Sequence, residues 1–422
     1  MDQTDSSKPA SAPRCGVLFM PHLDVLAHTG RCLLVARALR RESGMEVHFA
    51  GAGKYERLVR EAGFKVHQLP EMSAAELVRE SRRGRRWPFH STGQVRPFVD
   101  AETQLLRRLQ PRLVVFDHRY TAGISAEIAR LARVSITNIW WTPWTAAGMG
   151  LAETHPLFAR LPRLRFIRRF AWADRLGDYL ASRMFRRWIK PYNIVRAEHA
   201  LAPLESILDL FNGDAVILPD VSELAPSREL PPHAHRVGPL VWEPPGQLPA
   251  EVAEMEGFVY VSMGSSADPA VFDTVVEALR LLEGMPAVVT TGGVRSPAEF
   301  EHAPERMRFY DFLPGSLAAR LASAVVCQGG IGTIYQALSA GKPLVGIPFM
   351  PEQEVYGIGA VARAGAGIAL SPFDLTARTL ADAVETVMRD ARCRAAAEEI
   401  SARIDLQRAP SAAAAVISEL AG

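Results

Sequence analysis

The sequence predicts an α/β protein built from two doubly wound, Rossmann-like domains whose parallel sheets face each other across a cleft. Three observations lead there. Short apolar runs alternate with amphipathic helical runs; the alternation restarts near Phe258; and a proline-rich stretch from Pro219 to Pro249 separates the two halves. Alternating strand and helix signals imply parallel sheets with crossover helices. At 422 residues the chain is long for one ordinary domain and suits two of about 200 residues each.

In order, CGVLFM reads as a strand, CLLVARALRR as a helix, MEVHFAG as a strand, YERLVREAG as a helix and FKVHQLP as a strand. RLVVFD, a helix around ISAEIARLARV, and a strand SITNIWW complete the first half. The linking sequence PSRELPPHAHRVGPLVWEPPGQLP cannot sustain a helix, because its prolines lack the N–H and clash with the preceding turn. FVYVSMG, AVVTTGG and RFYDFLP are the next strands, and LTARTLADAVETVMRD and the alanine-rich segment ending AAAAVISEL are helical. The expected division is a disordered segment 1–13, a first domain 14–235, a second domain 236–400, and a terminal segment 401–422 that returns to the first domain, with the crossing placed at Ala409-Pro410.

Composition narrows the function classes. The net charge is +2 and no recognition motif is present, which argues against nucleic acid as a partner. Cys15, Cys32, Cys327 and Cys393 show no CxxC or Cys/His spacing, so no metal centre and no disulfide is expected, as suits a reducing cytoplasm. The amino terminus has no apolar signal core and no run reaches membrane-spanning length, so a soluble cytoplasmic protein is expected.

The most informative segment is QGGIGTIYQALSAGKPLVGIPFMPEQ, residues 328–353. Gly329, Gly330 and Gly332 open a helix without Cβ atoms, so backbone N–H groups can close on an anion, while Thr333 adds a hydroxyl and the helix dipole favours negative charge. An ordinary glycine-rich βα turn is the plain reading of GGxGT alone. One strand later the chain places Glu352 and Gln353, polar side chains suited to sugar hydroxyls.

From Gly329 to Gln353 the segment resembles the donor signature of nucleotide-sugar-dependent glycosyltransferases of the GT-B fold that act on small molecules, including antibiotic and plant-metabolite glycosyltransferases. The resemblance implies that Gly330, Gly332 and Thr333 hold a diphosphate, Gln336 faces the ribose, and Glu352 and Gln353 bind the donor sugar. Two positions depart from the pattern: Gln328 stands where the family has a His on the diphosphate, and Gln336 where it has a Glu on the ribose. A carboxamide can serve either role but brings no charge. By the same resemblance Gly264, Ser265 and Ser266 lie beside the donor, Thr291 ends the next strand, and Phe312 and Leu313 meet the nucleobase.

For chemistry, the loop PHLDVLAHTGR supplies His28, at the distance from the ARAL segment that the family's catalytic His occupies; Asp117, ending RLVVFD, resembles the Asp that orients that His. A carboxylate partner fixes a histidine tautomer and offsets imidazolium charge. Without the resemblance, a surface-loop His and a helix-capping Asp are the plainer readings. His22, near Asp24, is the rival base on the acceptor side, because Ala27 replaces the usual Gly and the loop is long.

Trp140, Trp141 and Trp144 follow a strand of the first domain and are candidates for an aromatic acceptor wall. The stretches 79–96 and Arg160–Lys190 are arginine-dense with interleaved aromatics. Solvated amphipathic helices, peripheral docking on anionic membrane lipid, and capture of an acidic acceptor each fit such a pattern. The implied reaction is an inverting, metal-independent transfer of a hexose from a UDP- or dTDP-sugar, a co-substrate rather than a cofactor, to a hydroxyl of a small natural product of antibiotic type. Against it stand a silent homologue that activates a partner transferase, which Gln328 and Gln336 favour, and a nucleotide-sugar epimerase.

Overall fold

The computed structural model describes residues 15–73, 75–77, 89–155, 158, 161–264 and 267–422. The expected disordered segment 1–13, Ser265 and Ser266, Arg160, and most of the basic stretch beginning at residue 79 lie outside the described residues.

Two all-parallel sheets organise the chain. The first has the order β3-β2-β1-β4-β5-β6-β7, made from β1 (Val17–Pro21), β2 (Val47–Ala50), β3 (Lys65–His67), β4 (Leu113–Asp117), β5 (Ala132–Ile136), β6 (Ala215–Leu218) and β7 (Ala234–Arg236). The second has the order β10-β9-β8-β11-β12-β13, from β8 (Val259–Ser262), β9 (Ala287–Thr290), β10 (Met307–Tyr310), β11 (Ala324–Cys327), β12 (Leu344–Gly346) and β13 (Gly367–Ala369). The central strands are apolar and buried along their length, as strands covered on both faces by helices must be.

In each sheet the strand order reverses beside the first strand, between β1 and β4 and between β8 and β11. Helices leave the two sides of that point in opposite directions, so a crevice opens at the strand carboxyl ends, where ligands bind in open α/β sheets. In the first crevice Pro21 pairs with Asp117; in the second Ser262 pairs with Cys327. The register of these pairs sets the positions of the loops described below.

Two sequence-derived boundaries move. The helix expected around ISAEIARLARV stops at Ile128, where Arg130 takes a left-handed φ of 57°, and β5 begins at Ala132. The expected strand SITNIWW therefore ends at Ile136, and Ile139–Trp141 is a 3₁₀ turn. The proline-rich stretch contains β7, an edge strand that prolines flank without interrupting.

The terminal helix Arg408–Ala421 packs along the helix Leu26–Ser43, with Ala409, Ala413, Ala414 and Ile417 in the same buried cluster as Leu33, Ala36 and Val17. Pro410 sits in its first turn, where a missing N–H costs nothing, so the crossing falls just ahead of it, at 402–407. The linker closes on the same helix: a Cβ on Gly30 would strike the Trp242 side chain. All four cysteines are free and buried. Among the described residues, no helix is long and apolar enough to cross a membrane.

Candidate active site

The first half of the site is built where β1 and β4 end. The His22 N–H donates to the Asp117 carbonyl at 3.1 Å, which bends the loop 22–25 over β4 and starts the helix at Leu26. One turn in, His28 Nδ1 lies 2.8 Å from Asp117 Oδ1. Asp117 is fully buried and His28 is about one-sixth exposed, its side chain 18 % accessible. Arg31 Nη2 also lies 3.0 Å from Nδ1, but its shorter contact is to the carboxylate, at 2.7 Å; we therefore assign the proton to Nδ1, donating to Asp117, which leaves Nε2 with a lone pair.

Asp117 has a second partner. Arg31, three residues after His28 on the same helix face, donates from Nε to Oδ2 at 2.9 Å and from Nη2 to Oδ1 at 2.7 Å. Its Nη1 reaches Asn138 Oδ1 at 2.7 Å, and Asn138 in turn donates to Asp220, which also receives the Ile139 N–H. Burial disfavours the Arg31 charge, but Asp117 more than offsets that and holds the guanidinium above its ordinary pKa. A buried chain of four polar groups thus runs from the candidate base to the end of β6.

His118 follows Asp117 with a left-handed φ of 50° and stacks on His28, ring centroids 4.3 Å apart. It packs against Trp141 and Phe211, and burial pushes its pKa well below the histidine range, so a neutral ring backs His28. Ligand atoms of His28, Asp117 and His118 lie within 4.8 Å of one another, but Arg31 already supplies the positive charge on Asp117.

His22, the rival base, is buried behind this loop. Neither ring nitrogen has a hydrogen-bond partner among the described residues, and burial, with the charges of His28 and Arg119, pushes it down to about 4. Glu71 Oε1 lies 3.9 Å away, and burial pushes that carboxyl up to about 7 against the opposing charge of Arg119. The two are neighbours without being an ion pair, since burial favours the neutral form of each.

The second half of the site begins at β11. Gly329 adopts φ 86°, and Gly330 caps the helix Ile331–Ser339, whose first internal bond runs from the Ile334 N–H to the Gly330 carbonyl. The N–H groups of Ile331, Gly332 and Thr333 therefore have no helical acceptor. A Cβ on Gly330 or Gly332 would meet nothing within 4 Å, so the space above this helix end is open. Gln328 is buried, its Nε2 3.0 Å from where a Cβ on Gly264 would stand, which brings the turns after β8 and β11 together.

Around this helix, Gln336 packs against Gly315, leaving no room there for a Cβ. Phe312 is 48 % exposed beside Gly293, a free aromatic face rather than core packing, whereas Leu313 is buried. Thr291 is buried, with its hydroxyl on Asp311. The Gln353 side chain is also buried, its Oε1 accepting the Phe349 N–H at 2.9 Å, so half of its carboxamide holds the loop in shape.

The two halves meet through Trp140. Its indole N–H donates to Glu352 at 3.0 Å and its ring stacks on Tyr356, with centroids 5.4 Å apart. Burial raises the Glu352 pKa, and hydrogen bonds from Trp140 and Trp141 with the charges of His28 and Arg31 oppose that rise, which places the first-domain cluster within electrostatic reach of the second-domain carboxylate. Beside it, Glu354 accepts from the N–H groups of Glu153 and Thr154 and from Arg168, each at 2.7 Å.

The aromatic wall expected from three tryptophans is thus revised. Trp140 is buried at the domain junction, and Trp144 stands edge-on to His233. Trp141 alone joins the aromatic group behind His28.

Residues 280–420 match the family described as "Erythromycin biosynthesis protein CIII-like, C-terminal domain". The chain is 29 % identical over 412 residues to the Mycobacterium tuberculosis "PGL/p-HBAD biosynthesis glycosyltransferase", covering 95 % of this chain and 92 % of that protein. It is likewise 29 % identical over 410 residues to a Mycobacterium bovis "PGL/p-HBAD biosynthesis rhamnosyltransferase", with 95 % and 88 % covered. The solved structure of spinosyn rhamnosyltransferase SpnG complexed with thymidine diphosphate superposes with a TM-score of 0.68 at 21 % identity, over 96 % of this chain and all of that one, which shows the shared two-domain fold. The chain has the GT-B fold and is similar along its whole length to these glycosyltransferases.

In this glycosyltransferase, several groups at the site escaped sequence reasoning. Arg31 stands three residues after His28, and its helical spacing was a usable signal; its true partner, 86 residues away, was not visible. His118, Asn138 and Asp220 carried no motif at all. The Trp140 pairing with Glu352 spans 212 residues and two domains.

Proposed function

We propose that this glycosyltransferase is an inverting hexosyltransferase that moves a hexose from a dTDP- or UDP-sugar to a hydroxyl of a small, natural-product acceptor. The observation that carries this reading is the 2.8 Å contact of His28 with buried Asp117, within electrostatic reach of Glu352 on the opposite domain. His28 Nε2 takes the proton of the acceptor hydroxyl. The oxygen attacks the anomeric carbon from the face opposite the nucleotide, the bond to the diphosphate oxygen breaks, and one displacement inverts the centre.

Charge develops on the departing diphosphate, and in this reading the N–H groups of Ile331, Gly332 and Thr333 at the helix N-terminus receive it; their lack of helical acceptors supports that role. Phe312 offers its exposed face to the base, and Gln336 stands for the ribose. Glu352, held by the indoles of Trp140 and Trp141, faces the sugar hydroxyls. The thymidine diphosphate complex of SpnG supports the dTDP form of the donor. His118, Trp141 and Phe211 form an apolar backing for the acceptor near His28.

Titration calorimetry with dTDP and UDP, followed by transfer assays with the corresponding hexose donors, tests the reading. Nucleotide binding retained in His28→Ala with turnover lost is the expected outcome. Turnover that survives this substitution removes His28 as base. Failure of the wild-type chain to bind either nucleotide would move the protein to the silent-partner class that Gln328 and Gln336 allow.

A further inference from the structure

The basic segment left over from the site has two apolar faces. Helix Ala171–Trp188 buries Ala173, Gly177, Ala181 and Phe185 against its own domain. The opposite arc carries Trp172, Leu176, Tyr179 and Leu180, between 39 % and 56 % exposed, a spacing of three to four residues that gathers them on one side. Phe170, 48 % exposed, stacks on Trp172 with ring centroids 6.1 Å apart, and the preceding 3₁₀ segment Pro162–Arg169 adds Phe166, 57 % exposed. A contiguous patch of large exposed apolar side chains on a monomer marks a contact surface.

Charge identifies the contact. Between Arg163 and Lys190 there are nine basic residues and two acidic ones. Both acids turn away from the apolar arc: Asp178 accepts the Gly150 N–H at 2.8 Å and Asp174 lies against the same turn. On the apolar side, Arg175, Arg183, Arg186 and Arg187 are exposed, and none makes an ion pair among the described residues. Arg165 and Arg168 are the exceptions, bound to Glu153, Asp374 and Glu354, so they anchor the segment to the second domain instead of facing outward.

An apolar arc bearing Trp and Tyr, fringed by arginines and cleared of carboxylates, has the chemistry of an interfacial helix. We propose that the face formed by Phe166, Phe170, Trp172, Leu176, Tyr179 and Leu180 docks on an anionic lipid bilayer. The aromatic and leucine side chains enter the headgroup boundary and the arginines meet lipid phosphates. Because Arg168 ties the same segment to Glu354, two residues from Glu352, docking sets the cleft beside the membrane surface, where an apolar acceptor would be concentrated.

The test is co-sedimentation of the full chain with vesicles of phosphatidylcholine alone and with about a third phosphatidylglycerol, at low and high salt. Partition onto the anionic vesicles is expected to exceed that onto neutral ones by at least about ten-fold and to fall with salt. A triple variant, Trp172→Ser with Leu176→Ser and Leu180→Ser, is expected to lose at least about ten-fold of that partition with an unchanged thermal midpoint, since all three side chains are exposed. Charge reversal at Arg183, Arg186 and Arg187 is expected to lose about five-fold or more per residue. Equal sedimentation of wild type and variants, or none with anionic vesicles at low salt, overturns the proposal. So does a wild-type dimer in solution that the triple serine variant dissociates, because a second copy would then cover the face.

Discussion

Replacing Arg31 by Met removes the guanidinium from a pocket where it is 5 % exposed and its partner Asp117 is fully enclosed. Two bonds to the carboxylate, at 2.9 and 2.7 Å, and one to Asn138 at 2.7 Å are lost. Breaking a buried pair by deleting one partner costs about 3–5 kcal/mol, because the remaining charge is left without compensation. For a domain of this size each kcal/mol lowers the melting temperature by roughly 2–4 °C, so a fall of roughly 6–20 °C is expected. Asp117→Asn alone should cost a comparable amount by stranding the arginine. The double variant, in which neither charge remains, should recover at least about 2 kcal/mol of the summed loss. Urea unfolding of the four proteins, followed by circular dichroism, measures the cycle. A loss below about 1 kcal/mol in Arg31→Met, or strict additivity in the double variant, would refute the argument that this pair is held by mutual compensation.

Other outcomes follow from the same geometry. His22 is pushed down from 6.5 to about 4, so the unfolded chain binds the extra proton, and this group's contribution to stability rises with pH between about 4 and 6.5. Glu71 is pushed up from 4.5 to about 7, so its contribution falls as pH rises from about 4.5 to 7, and the two offset each other in the wild type. Thermal scans across pH should show a net fall toward neutrality in His22→Gln and a net rise in Glu71→Gln, each on the order of 3 kcal/mol in full; parallel profiles for all three proteins would contradict the assignment. Gln328→His is expected to tighten dTDP about five-fold in calorimetry, by replacing a neutral donor to phosphate with a charged one. Trp140→Phe keeps the stack on Tyr356 but removes one of the two indole donors to Glu352, Trp141 being the other; the KM for the donor sugar should rise several-fold while free nucleotide binds as before, and an unchanged KM in a Trp140→Phe, Trp141→Phe double variant would remove Glu352 from the sugar site.

What the sequence by itself determined was local. Glycines at 329, 330 and 332 dictate how a helix can start, apolar runs of four or five residues dictate strands, and prolines exclude helix from the linker; each acts within a few residues, so each is legible one-dimensionally. His28 and Asp117 could be singled out because the loop and strand end that carry them keep recognisable spacing. Tertiary structure alone decided what those groups touch. The β1 to β4 register sets Asp117 beside the first loop, and only then does Arg31 find the carboxylate and His118 the imidazole. The same holds at the junction, where Trp140 reads as an acceptor aromatic until the second domain brings Glu352 and Tyr356 against it. Burial makes the difference: a buried charge or indole must find a partner wherever the packed chain supplies one, and that partner was 86 residues away in one case and 212 in the other.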